Sequence, residues 1–470
     1  MRPGALAATL LVCAVVSRVE ACPCAGAELC RDARAEVERV VREGEVVGLG
    51  IAVIEHGRTS CTAAFGTADG TRAVDRATVF EAASLSKPVF AYAVLRLVDR
   101  GVLDLDHPLV SWVPDLPTIE QDITPRQVLT HVAGLPNEIR SDTPLTRLFA
   151  PGTRFSYSGE GFNALQVAVE RITKRRLDEV MAREVFRPLG MSDSSYTWRA
   201  DYVSRKAFGY DESGRRRERR EPREAHAAST LHTTVEDYAR FVEAMLRGEG
   251  LKRATWRAMT TPVVAVDSTC VVCGNKPAGP PSEALAWGLG WGLELRPQPP
   301  RFFHWGDNNG EFHAFVMGSR ETGDGIVLLS NSGNGQAVFP AIVARLLPGG
   351  HPAFAWMGYD AYDAPWRLVL RGILADGASA IDARAGLGER DWNRIGYQLL
   401  AREKMADAIA VFELNAGLHP DSANAHDSLG EALMTAGRTS EAIASYERSL
   451  ELDPKNDNAR QMLLRLRAER

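Results

Sequence analysis

Strand signals stand at both ends of the stretch from residue 47 to residue 330, and helical periodicity fills what lies between. At the near end, Val47 to Glu55 (VGLGIAVIE) is rich in β-branched residues, His56-Gly57 supplies a turn, and Ser60 to Phe65 runs back. This is the pattern of a β-hairpin. At the far end, Gly290 to Leu295, Phe302 to His304, Phe312 to Gly318 and Ile326 to Ser330 are short, apolar and closely spaced. From Lys87 to about Leu246 the apolar residues recur at helical spacing between Pro- and Gly-rich connectors. Ala35 to Glu43, stopped by Gly44, and Ala337 to Leu347 read as flanking helices. One sheet built from both ends, with a helical insertion, satisfies this order. The run Arg215 to Arg220 (RRRERR) reads as a solvated loop.

Beyond Leu347 the character changes. Pro348 to Asp363 is rich in Gly, Pro and aromatics and reads as a linker; a chain ending near Pro348 is expected to fold and to keep most of its activity. Pro365 to Ile381 reads as a lone helix. Then Gly396 matches Gly430, Ala408 matches Ala442, Phe412 matches Tyr446 and Pro420 matches Pro454, each pair about 34 residues apart. That period and pattern resemble the tetratricopeptide repeat. Small residues let two antiparallel helices approach, the aromatic fills the space beside them, and proline ends the second helix. Residues 389–470 are therefore expected to be an all-α repeat domain, with Met462 to Leu466 in a capping helix and a protein or peptide as its partner. Residues 348–388 form the linker and helix.

The chain starts with Arg2, a short apolar run from Ala5 to Val16, and Val19-Glu20-Ala21. This implies a signal peptide over residues 1–21 and a secreted or periplasmic protein. Lipoprotein anchoring at Cys22 is the poorer reading, because Val19-Glu20 fits a lipobox badly. The apolar run falls short of the ~20 residues that span a bilayer, and no later stretch is apolar enough to span. A composition of 45% hydrophobic and 24% charged residues excludes overall disorder, and a net charge of −5 argues against a nucleic-acid partner. Cys270-Val271-Val272-Cys273 is a loop disulfide or a pair of free thiols; it has zinc half-site spacing, but no second pair lies in a suitable place.

Three motifs carry chemistry. In Ser84-Leu85-Ser86-Lys87, at the expected start of a helix, residues three apart share a face, so Oγ and Nζ can meet. A serine becomes a nucleophile beside a base, and a lysine serves once burial disfavours its charge. Tyr157-Ser158-Gly159 follows about 70 residues on, and His304-Trp305-Gly306 ends a strand. Order and spacing match the layout of serine acyl-transfer enzymes. No Gly-x-Ser-x-Gly, His-Glu-x-x-His or Gly-x-Gly-x-x-Gly occurs, which removes the main support for elbow hydrolases, zincins and dinucleotide enzymes.

With these motifs, and with Phe80-Glu81-Ala82-Ala83-Ser84, Ile123 to His131, Pro188-Leu189-Gly190-Met191 and Trp287 to Trp291, residues 31–347 resemble the class C β-lactamase and D-alanyl-D-alanine carboxypeptidase family, including its esterase branch. The resemblance implies an α/β (α+β) fold: a mostly antiparallel sheet flanked by helices, a helical subdomain beside it, and the site between them. It implies that Ser84 is acylated, and that Lys87 and Tyr157 share base and acid work. The backbone N–H groups of Ser84 and Asp307 form the oxyanion hole. Gly306 lets substrate lie against the strand, and His304 orients substrate or Tyr157. His131 is read as structural. No metal or organic cofactor is implied. Two departures stand out. Gly159 replaces an amide-binding Asn, and His304, expected to be partly charged near neutral pH, replaces a Lys. Both favour an ester or D-amino-acid peptide over a β-lactam. A β-lactamase or D,D-carboxypeptidase proper remains the alternative within enzymes, and a non-catalytic binding or scaffold protein the alternative outside them.

Overall fold

The computed structural model describes residues 24–114, 123–138, 145–382 and 386–468. The expected signal peptide over residues 1–21, and Cys22, lie outside the described residues. The described residues form ten strands: β1 (Gly48–Glu55), β2 (Arg58–Gly66), β3 (Phe80–Ala83), β4 (Leu231–Thr233), β5 (Val264–Asp267), β6 (Pro281–Trp287), β7 (Gly292–Glu294), β8 (Arg301–Asn308), β9 (Phe312–Gly318) and β10 (Gly325–Ser330). Eight form one sheet in the order β2-β1-β10-β9-β8-β7-β6-β5, antiparallel throughout, and β3 pairs with β4. The near hairpin therefore joins the far strands through β1 and β10, with Leu49 opposite Ser330. Seven of the eight residues of β1 are buried, so it shows no alternation: both faces of the sheet are covered. One face packs on the helices Cys24–Glu43 and Gly335–Leu346, the other on the helical region.

β5 and β6 are not among the expected strands, although Val263 to Val266 is apolar and largely β-branched. They flank Cys270–Cys273 in a stretch dense in Ser, Gly and Pro, and cross-strand pairing overrides that weak local preference. The two cysteines are joined in a disulfide. The Arg215 to Arg220 run is only partly solvated: Arg219 lies over Trp198, and Arg220 reaches Glu311 at 2.7 Å.

Residues 348–363 also depart from the expected linker. They contain a short helix, Pro352–Trp356, and bury Ala353, Phe354 and Tyr362 in the core beneath the sheet. The helix Pro365–Asp376 follows, then four repeat helices and the terminal Asp457–Ala468. Gly396 faces the Phe412 ring, and a Cβ there would stand 2.4 Å from it. This is the close helix approach that the repeat pattern requires. The first repeat helix, Glu389–Ala401, and its C-cap meet the sheet domain through polar contacts. Arg394 and Gln398 hold Glu212 at 3.1 and 2.6 Å, and Arg402 holds Glu45 at 3.0 Å.

Candidate active site

Ser84 stands in the turn between β3 and the helix Ser86–Asp99, two residues ahead of the helix proper and next to its N-cap Leu85. Ala83 takes a left-handed φ of 49°, which residues with a Cβ rarely adopt. The turn is locked from below: the Ser86 hydroxyl donates to Ala83 O at 2.6 Å and accepts the Leu231 N–H at 3.0 Å. The helix that follows is buried over most of its length, so it cannot shift without disturbing the core. Ser84 is thereby held half-buried at a positive helix end.

Lys87 is 2% exposed, and its Nζ donates to Ser84 Oγ at 3.0 Å and to Ala228 O at 2.9 Å. Burial pushes its pKa down to about 7, against the opposing pull of the Glu138 and Glu160 carboxylates. Near neutral pH a large fraction of this amine is therefore uncharged and able to take a proton. The Tyr157 hydroxyl is buried without a hydrogen-bond partner among the described residues, and Lys87 Nζ lies 4.9 Å from its ring centroid. Burial drives the phenol upward, with Ser84 acting in the opposite sense, so Tyr157 stays protonated.

His304 is fully buried. Its Nδ1 lies 2.8 Å from Trp305 O, and its Nε2 has no partner among the described residues. Burial, helped by Lys87, takes its pKa down to about 3. The expected partial charge is thus corrected: the low-dielectric surroundings keep the imidazole neutral. His131 stacks on Tyr157 at 4.4 Å, accepts the Ser158 N–H at 3.0 Å, and is likewise held well below its ordinary value by burial. These contacts fit a scaffold role.

The glycines mark close approaches. A Cβ on Gly306 would stand 2.4 Å from Ala82 O and 3.2 Å from Ser84 N, so β8 runs hard against the turn that carries Ser84. Asp307 follows directly. Its carboxylate accepts the Gly310 N–H at 2.7 Å, which leaves its backbone as the part that can serve the site. A Cβ on Gly159 would meet Asn137 O at 2.5 Å. Asn137 Oδ1 lies 3.4 Å from the same point, so an amide side chain from another loop borders the place the usual motif Asn would fill.

Three features at the site carried no role in the sequence reading. Asn137 has no spacing relation to Ser84. Glu81, three residues before Ser84, is 4% exposed and accepts from Lys206 at 2.6 Å and from Asn308 at 2.7 Å; it ties β3 to β8 beside the glycine contact. The disulfide loop supports Tyr157: Val271 O accepts the Tyr157 N–H at 3.0 Å, and Ser156 Oγ accepts the Cys273 N–H at 3.1 Å. Proximity to Phe80–Ser84 was a usable signal for Glu81; the other two depend on tertiary contact alone. Asp267, Cys270 and Cys273 cluster within 4.8 Å, but the disulfide consumes both thiolates, so the donor set does not suit a metal.

Comparison with known proteins places the geometry. The chain is 32% identical over 194 residues to Esterase EstB of Burkholderia gladioli, covering 34% of this chain and 49% of that one. It spans about half the length of the curated relatives it matches. Among solved structures it resembles the octameric penicillin-binding protein homologue from Pyrococcus abyssi (TM-score 0.57, 19% identity, 74% of this chain and 81% of that one). It also resembles the D-alanine carboxypeptidase AmpC from Burkholderia cenocepacia (TM-score 0.56, 20% identity, 68% and 99%). Both are likenesses of fold. A tetratricopeptide repeat model matches residues 423–456. Among the described residues no helix is long and apolar enough to cross a membrane. The β-lactamase family model matches residues 33–347, well over half of the chain, and this protein belongs to that family of serine hydrolases.

Proposed function

We propose that the protein is an exported serine hydrolase that forms an acyl-enzyme at Ser84 on an uncharged ester or a D-amino-acid amide. The observation that carries this reading is the buried Lys87 amine 3.0 Å from Ser84 Oγ, its pKa pushed down to about 7. Ser84 Oγ bonds to the carbonyl carbon, and its proton passes to the Lys87 amine. The oxyanion takes the backbone N–H groups of Ser84 and Asp307. The bond to the alcohol or amine breaks, and the leaving atom takes the Tyr157 proton, which Lys87 replaces. Water then releases the acid by the same proton route in reverse. His304 Nε2, neutral and without a partner among the described residues, orients the Tyr157 hydroxyl or the substrate.

The neutral His304 and the side-chain-free Gly159 support an ester over a β-lactam, whose carboxylate and acylamide would want the cation and amide they replace. The disulfide supports an oxidising compartment. Residues 31–347 would be the hydrolase, 348–388 the connection, and 389–470 a repeat unit that binds a protein or peptide.

A fluorophosphonate probe should label the peptide holding Ser84, and Ser84→Ala should abolish both labelling and turnover of p-nitrophenyl acetate. Labelling at another serine would overturn the assignment. A cephalosporin kcat/KM more than about tenfold above that of every ester, a gap of ~1.4 kcal/mol, would return the reading to a β-lactamase.

A further inference from the structure

The residues just beyond the family-matched region return to the candidate site. Trp305 sits on β8 beyond the end of β7 pairing, half-buried, with its ring centroid 4.9 Å from that of Tyr157. Trp356, from the short helix after the family region, stands edge-on to Trp305 at 5.9 Å and to Phe303 at 6.4 Å. It is pinned there by its indole N–H, which donates to Asp267 O at 2.7 Å. Tyr359 follows on Phe354 at 5.7 Å, and both Asp307 and Tyr157 are near enough to add to the upward push that burial gives its phenol. Trp305, Trp356, Met357 and Tyr359 are only partly buried, although the core beneath them is closed. A half-buried aromatic ledge beside a protonated phenol is a surface suited to a flat apolar group.

We infer that Trp356 and Tyr359, together with Trp305, form a subsite for the leaving group, and that this subsite takes an aromatic or bulky apolar alcohol. The inference rests on the acyl-enzyme reading above, in which Tyr157 protonates the departing oxygen. The group attached to that oxygen then leaves past Tyr157, whose ring Trp305 borders at 4.9 Å. The connecting segment is thereby a determinant of specificity.

The test uses the full chain and two acetate esters whose alcohols have similar acidity, 2-phenylethyl acetate and ethyl acetate, followed by pH-stat. Wild type should favour the aromatic alcohol by at least tenfold in kcat/KM. Trp356→Leu should lower that ratio about five- to tenfold, mainly through KM, the scale of one aromatic contact; Trp356→Phe should restore most of it. Should Trp356→Leu fail to fold by circular dichroism, Tyr359→Ala and product inhibition of wild type decide. 2-Phenylethanol should inhibit at least tenfold more strongly than ethanol. A wild type without preference, or an unchanged ratio in a folded variant, overturns the subsite. Turnover that survives Ser84→Ala would instead overturn the acyl-enzyme reading, so the two failures are distinct.

Discussion

On the proposed acyl-enzyme route, the ionisation of Lys87 sets the pH at which this enzyme should work. An exposed lysine, with an ordinary value of 10.5, would be only about 0.3% unprotonated at pH 8, and its contribution as a base would climb tenfold per pH unit to above pH 10. With the amine pushed down to about 7, the unprotonated fraction is roughly 10% at pH 6, half at pH 7 and 90% at pH 8. Plotted against pH, kcat/KM for p-nitrophenyl acetate should rise about tenfold between pH 6 and 8 and then level off, since that parameter reports the free enzyme. The two carboxylates that hold the value up give the internal control. Glu138→Gln and Glu160→Gln each remove negative charge, so each should move the acid limb to lower pH, and the pair should move it further. The assay is a stopped-time ester hydrolysis from pH 5 to 10, corrected for spontaneous cleavage. A limb that still climbs tenfold per unit between pH 8 and 9.5 would refute the argument. So would a limb that either glutamine variant moves upward.

Restoring the usual motif by Gly159→Asn should not restore amide recognition. The new Cβ would sit 2.5 Å from Asn137 O, and the displaced loop should cost ~1–3 kcal/mol, seen as a lower midpoint in urea. A chain ending near Pro348 should be destabilised by at least ~3 kcal/mol because it loses buried Phe354, whereas one ending near Ile381 should keep its fold; thermal unfolding separates them. Acid should weaken the whole protein. His304 and His232 are buried with values of about 3 and about 4, below the ordinary 6.5, so the unfolded chain binds their protons first. Stability is then lost as pH falls below 6.5. Each group approaches ~1.4 kcal/mol per unit only well below 6.5, so between pH 6.5 and 4.5 the two together take roughly 4.5 kcal/mol, and a flat urea midpoint between those pH values would refute it.

What the sequence disclosed of this fold follows from where information is local. Val47 to Phe65 and the strands after Phe302 announce themselves, because β-branched and aromatic residues crowd between turn residues. β5 and β6 stand out less: Val263 to Val266 is short and apolar, the Ser-, Gly- and Pro-rich stretch after it breaks the pattern, and the pairing of β5 with β6 and of β6 with β7 completes the strands. The repeat was legible because Gly396 and Phe412 touch, and a contact between fixed positions leaves a periodic mark. The Ser84–Lys87 pair was legible for the same reason, being one turn apart. Trp356, Asn137 and the disulfide loop reach the site across distant segments, and no spacing rule encodes that. The charge state of His304 was misjudged because burial, not residue type, decides it.

The union of β1 with β10 has a consequence for the newly made chain. Leu49 must wait for Ser330 before the sheet can close, so although β1 meets β2 at once, nearly the whole hydrolase has to be synthesised before it finds its second partner, β10. Ser84 and Lys87 emerge early, yet β8, whose Gly306 packs against the serine turn, arrives more than two hundred residues later. On the proposed acyl-enzyme route, a partly made chain therefore carries its nucleophile without an oxyanion cradle, and acyl-transfer reactivity is withheld from the nascent protein until the last strands are in place.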